Sequence, residues 1–379
     1  MLMTPAFWTR IVILVDAHPT PLSMIKSQIA WTRDLPLDVT ITRRVALRTL
    51  DSGDQHEKAR VASVVAIITP QLCRCQKLRV DASLSSSLPS FSSSFHGDAP
   101  LLEELLLECD VDDGGFEAAI VPPGTQKTEQ FQCPALRKLA IDGRNFYNAC
   151  EEGNWTSFPA VTDLAISRFT RDESFPFLNL SSTLSRMECL TDLRLTDLML
   201  DPPEEEDLDS MFIPMLSSLV CEDIDDVKTI ECLDECFNTI FHLTLTRCAT
   251  ATGTVTYDVD MLTLKEISGD VDDFLRSWFG SHLHLDSCPG FNDIVLERMC
   301  LPENRFIVSL ITFLEISNCL AFSVPALKRF VETREYPGSG ECPTLKTMRI
   351  SGNSPYFSLE ERLWFEEHLI DFTFTPVTE

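Results

Sequence analysis

Positive charge is scarce in this chain. It carries 31 Lys and Arg against 58 Asp and Glu, a formal net charge of −27. A surface of that sign repels phosphate backbones, so nucleic acid is not an expected partner and a basic protein surface suits it better. Long apolar runs are missing too. A clear stretch such as Val61 to Ile68 falls far short of the roughly 20 residues that span a bilayer, and no membrane partner is expected. The start lacks a basic segment ahead of its apolar run, which Arg10 and Asp16 close off too soon for a secretory signal. No G-x-x-x-x-G-K phosphate loop, G-x-S-x-G elbow or H-E-x-x-H motif occurs. The 14 cysteines are spread thinly over 379 residues, unlike a secreted disulfide framework. The expectation is a soluble protein of the cytoplasm or nucleus, with mostly reduced thiols, no cofactor and no enzymatic activity.

What is present is a core-forming share of apolar residues, 44%, in an ordered pattern. Ile11 to Val15 reads as a buried strand. Thr20 is placed to cap a helix with Pro21 in its first turn, and Leu22, Ile25 and Ile29 follow at helical spacing. Leu37, Val39 and Ile41 alternate with polar residues, as in a half-buried strand. A second helix from Glu57 ends near Pro70, and "CQKLRVD" returns to a short strand. Strand and helix in alternation predict parallel pairing.

One phrase then recurs. Leu136, Leu139 and Ile141 set its spacing, and Val161, Leu164 and Ile166 repeat it. So do Leu190, Leu193 and Leu195, then Ile240, Leu243 and Leu245 with Cys248. Leu283 and Leu285 with Cys288, Ile311, Leu314 and Ile316 with Cys319, and Leu345, Met348 and Ile350 with Asn353 complete the clear copies. An earlier copy holds Leu102, Leu105 and Leu107, and weaker ones lie near Leu219 and Leu264. The pattern L-x-x-L-x-L-x-x-N/C is the leucine-rich-repeat signature, in which the apolar positions of a short strand point inward and the Asn or Cys serves backbone groups of the turn. The predicted fold is α/β, an irregular leucine-rich-repeat solenoid with a curved parallel sheet inside and helices outside.

"TPAFWTRIVILVD" (Thr4 to Asp16), the strand–helix–strand run through Arg44 and the later repeats together resemble an F-box/leucine-rich-repeat family expanded in mushroom-forming fungi. The resemblance divides the chain into residues 1–98, the segment that follows the F-box, and residues 99–379, the irregular repeats. It implies recognition of a protein substrate, unidentified here, for a Skp–cullin–RING ubiquitin ligase. In the family the adaptor-binding F-box precedes the position of Thr4, where only Met1 to Met3 stand. No residue is therefore carried over as a Skp contact, and docking on that adaptor is not expected. Phe7 and Trp8 are expected to form exposed aromatic surface. An enzyme or regulatory subunit on an irregular α/β scaffold is the alternative.

Several local features read as structural. "CDVDDGG" (Cys109 to Gly115) lacks the spacing of a calcium loop and suits a solvated acidic turn. "DPPEEEDLD" (Asp201 to Asp209) suits a solvated loop. Cys73 and Cys75 stand too close for a zinc knuckle. Ser83 to Phe95 suits a flexible linker, unless Leu84, Leu88, Phe91 and Phe95 pack on the core. Binding is expected on the concave face, where residues between the inward positions project. The candidates are Arg194, His242, His282, His284 and Arg349, with Thr244, Thr246 and Asp286 beside them. A metal site from the three histidines is not expected, because a further repeat can separate their strands.

Overall fold

The computed structural model describes residues 9–44, 56–114, 131–151, 158–169, 175–201, 215–225, 229–230, 232–233, 240–249, 259–300, 310–335 and 344–376. The expectations for Phe7, Trp8 and most of the acidic run after Asp201 fall outside them. Two compact units divide the chain, the first carrying the strands up to Asp201 and the second those from Leu216.

The first unit holds β1 (Arg10–Leu14), β2 (Leu37–Thr42), β3 (Cys75–Leu84), β4 (Glu104–Val111), β5 (Lys138–Asp142) and β6 (Asp163–Phe169). Two short strands, β7 (Phe175–Pro176) and β9 (Leu200–Asp201), pair with each other beside β8 (Asp192–Leu198). Strands β1 to β6 and then β8 are parallel and lie in chain order. The second unit repeats this arrangement with β10 (Leu216–Glu222), β11 (Ile240–Thr246), β12 (Val259–Lys265), β13 (His282–Asp286), β14 (Phe313–Ser317), β15 (Thr347–Gly352) and β16 (Asp371–Pro376). The predicted mixed α/β class and parallel pairing are both found.

The apolar positions of the recurring phrase explain the register. Leu139, Leu164 and Leu193 stand side by side, as do Ile141, Ile166 and Leu195. In the second unit Leu243, Leu262, Leu283, Leu314 and Met348 form one row, and Leu245, Leu264, Leu285, Ile316 and Ile350 the next. All of these side chains are buried. Each contributes about 1.5–3 kcal/mol relative to exposure, and a slip of one residue would turn a whole row into water.

The turn that closes β6, β8 and each of β10 to β15 is equally regular. Two residues after the last inward position the backbone takes positive φ, at Arg168, Asp197, Asp223, Arg247, Glu266, Ser287, Asn318 and Gly352. In the second unit the N–H of this residue bonds to the next strand, Arg247 to Lys265 O, Glu266 to Asp286 O and Ser287 to Ser317 O. The left-handed residue swings the following side chain back inward, so Phe169, Leu198, Ile224, Cys248, Ile267, Cys288 and Cys319 are all buried. Cys248 Sγ donates to Cys221 O at 3.4 Å, and Cys288 Sγ to Leu264 O at 3.3 Å. The thiols thus serve backbone groups as expected. Asn353 departs from that expectation: its side chain is exposed, and its N–H instead donates to Asn318 Oδ1 at 3.1 Å.

Other local expectations need correction. The helix Leu22–Thr32 has Pro21 itself at its N-cap, and Thr20 Oγ1 instead accepts from Leu14 N at 2.9 Å. Ser83 to Phe95 is not a flexible linker. β3 extends to Leu84, and Leu88, Phe91 and Phe95 are buried among aromatic neighbours, Phe91 lying 5.3 Å from Phe158 and Phe95 5.6 Å from Phe131 between ring centroids. The acidic turn after Cys109 is not solvated at Asp112, whose side chain is 1% exposed and ion-paired with buried Arg144. The paired serines explain both. Ser85 Oγ donates to Asp112 Oδ1 at 2.9 Å, and Ser86 N to Asp113 Oδ1 at 3.0 Å, which ties the serine-rich segment to the acidic turn.

Candidate functional site

The face opposite the buried rows of the second unit is built by strand alternation, since successive side chains point to opposite sides. Parallel register aligns His242, Met261, His282, Phe313, Thr347 and Asp371 along one line. Thr244, Thr263, His284, Glu315, Arg349 and Thr373 form the next. Four of the five candidates, His242, His282, His284 and Arg349, therefore share this face. Arg194 does not join them. It is exposed on β8 in the first unit, paired in register with Ala165.

A continuous strip runs across five of the strands, β12 to β16. His282 Nδ1 lies 3.8 Å from Asp260 Oδ2, and Ser281 Oγ donates to Asp260 Oδ1 at 2.6 Å. The His282 ring stacks on Phe313, with centroids 5.3 Å apart and planes 28° apart. The Arg349 guanidinium lies over the same ring at 5.2 Å, and its Nη2 is 3.8 Å from Asp371 Oδ2. The sequence reading missed Phe313, Asp260 and Asp371. Phe313 precedes the inward Leu314 as His282 precedes Leu283, so the repeat alignment carried that signal. Asp371 lies on β16, which has no Leu pattern to mark it.

The other two histidines are half-buried. His242 Nε2 is 3.0 Å from Thr263 Oγ1 and 3.3 Å from Thr244 Oγ1. Those contacts help bury Thr244, which the sequence placed on the open face. Burial, Lys265 and His284 hold His242 below the usual histidine range. Burial also lowers His284, aided by Lys265 and opposed by Glu315 and Asp286. β12 separates the strands of His242 and His284, and among the described residues no group of His, Cys, Asp and Glu is disposed to hold a metal ion. At the strand ends Arg247 binds Glu222, Asp223 and Glu266 at 2.6, 2.7 and 3.0 Å, which raises its affinity for its proton and leaves acid in excess.

Arranged in this way, the groups can stack, hydrogen-bond and pair ions with a ligand. Among the described residues no helix is long and apolar enough to cross a membrane. No family model and no curated protein matches the chain.

Proposed function

We propose that the chain is a non-enzymatic protein-recognition module built on leucine-rich repeats, corresponding to the substrate-binding part of an F-box protein of a Skp–cullin–RING ubiquitin ligase. The observation that carries the recognition reading is the strip Asp260–His282–Phe313–Arg349–Asp371. It sets an aromatic ring between a histidine and an arginine on an open sheet face, backed by two rows of buried apolar residues. Aromatic and arginine side chains are the groups that most often anchor protein interfaces. The sequence spacing and the strict succession of parallel strands support the repeat reading. The ligase role rests on the family resemblance alone.

The test is proximity labelling in cells with the wild-type chain and with the His282→Ala/His284→Ala/Arg349→Ala variant. The expected outcome is a set of proteins labelled by the wild type and lost with the variant, while thermal stability stays within about 1 kcal/mol because the three side chains lie on the open face. Labelling unchanged by the triple substitution would remove the sheet face as the recognition surface. The ligase reading is checked separately, by asking whether proteins captured through the face become longer-lived when cullin ligases are inhibited.

A further inference from the structure

Strand register settles which charges on the open face already have a counter-charge. From β12 to β16 the face carries Asp260, Asp286, Glu315 and Asp371 against Lys265 and Arg349. Arg349 lies over the Phe313 ring and beside Asp371. Lys265 stands in register with Asp286, whose Oδ1 also accepts from Asn318 Nδ2 at 2.9 Å. Asp260 accepts the Ser281 hydroxyl and faces His282. That leaves Glu315.

Glu315 is half-buried in the middle of β14. Its register neighbours are His284 on β13 and Arg349 on β15. Arg349 would be its counter-ion by position, but the guanidinium is committed to Phe313 and Asp371 and makes no ion pair with Glu315. His284 is half-buried as well, and burial with Lys265 nearby favours its neutral ring. Among the described residues, neither the Glu315 carboxylate nor the His284 ring takes part in a hydrogen bond or an ion pair. A half-buried carboxylate without a counter-charge loses solvation that nothing else in the chain returns. Side by side, the carboxylate and the unprotonated ring nitrogen are acceptors for the N–H groups of a cation.

We infer that Glu315 and His284 receive a basic side chain, lysine or arginine, from the protein segment that the open face recognises. The inference rests on the reading of that face as a recognition surface and names the chemistry of its partner. The incoming cation pairs with Glu315 and donates to the His284 ring, so the carboxylate gains in the complex the charge it lacks in the free chain. Charge balance favours the same partner. Four acids stand against two cations on these strands, on a molecule at −27, which draws a basic segment toward the face. An acidic segment would meet only Lys265 and Arg349, each with an acid already beside it.

The probe is a displayed library of short random peptides, selected on the full chain and counter-selected on the His282→Ala/His284→Ala/Arg349→Ala variant. The selected peptides are expected to share a lysine or arginine at one aligned position. Alanine at that position should weaken binding about tenfold, and Glu315→Gln should weaken the parent peptide by a similar factor. The two changes together should cost little more than either alone, because both remove one contact. Glu315→Lys should reverse the choice and bind best the peptide with glutamate at that position, a gain that a misfolded variant cannot produce. Peptides that depend on the face but respond equally to Glu315→Gln with and without their basic residue would overturn this inference and leave the recognition reading standing. A shared acidic residue in place of the basic one would overturn it too and assign the partner's charge to Lys265 and Arg349. Selection of no peptide that discriminates the triple variant would overturn both readings.

Discussion

Asp142 shows how much structure can hang on one carboxylate. It is fully buried at the end of β5. Its Oδ1 accepts from Arg144 N and Asn145 N, both at 3.1 Å, and its Oδ2 from Asn145 Nδ2 at 2.6 Å, so it caps the helix Gly143–Glu151. Asn145 Oδ1 in turn accepts from Phe91 N at 2.8 Å and fixes the serine-rich segment. Burial outweighs the three hydrogen bonds and pushes the Asp142 carboxyl up to about 6. The folded state therefore holds this proton where the unfolded chain has lost it. The stability Asp142 supplies is complete below about pH 4 and is lost as pH rises through about 6, a change of about 3 kcal/mol for a shift of this size. In Asp142→Asn the side-chain oxygen still caps the helix and nothing titrates. Urea denaturation of both proteins from pH 4 to pH 7 should show wild type losing about 3 kcal/mol relative to the variant. Arg144 presents the opposite case. Arg144→Met would leave the Asp112 charge buried without its cation, and about 3–5 kcal/mol of stability should go with it at pH 7.

At the scale of the element, apolar spacing was legible and turn geometry was not. Leu, Ile and Met at the inward positions of β5, β6, β8, β11, β13, β14 and β15 share one chemistry, so their period stands out. The left-handed turn position is filled by Arg, Asp, Glu, Ser, Asn and Gly. No shared chemistry marks it, because the demand falls on the backbone and neighbouring strands supply the compensation. β16 escaped for a related reason: "DFTFTP" alternates, but it lacks the Leu that announces the other strands. The candidate site divides along the same line. The histidines and Arg349 follow from counting between leucines, whereas the Phe313 contacts need the register of neighbouring strands. The turn can be tested at Gly352, where φ is +69° and an added Cβ would overlap the Asn318 amide oxygen. Gly352→Ala should cost at least about 1–2 kcal/mol from the left-handed backbone alone, read as a lowered urea midpoint. Ser358 offers a cleaner element to break. Its hydroxyl accepts from Glu361 N at 3.2 Å while Glu361 Oε2 accepts from Ser358 N at 2.7 Å, a capping box on the helix Leu359–His368. Ser358→Ala should lose about 1 kcal/mol, measured the same way.

For the molecule as a whole, the buried cysteines are built-in reporters of how the parallel stack comes apart. Cys221, Cys248, Cys288 and Cys319 lie in the second unit on or just after β10, β11, β13 and β14, all buried, and their thiols hold their protons more tightly than usual because of that burial. Only a thiolate exposed to solvent reacts with an alkylating reagent at a useful rate. Cys73 and Cys189 are exposed in the folded chain. A strand in the middle of a stack is held by both neighbours, so losing one strand removes half the support of the next. That coupling favours opening of the second unit in one step over peeling from β16 inward. Alkylation at rising urea, resolved by peptide mass, should modify Cys73 and Cys189 without denaturant. Cys221, Cys248, Cys288 and Cys319 should all become reactive at one shared midpoint. Labelling of Cys319 at a clearly lower urea concentration than Cys221 would mean that the strands open in sequence from the β16 end, and that neighbour coupling is too weak to make the unit cooperative.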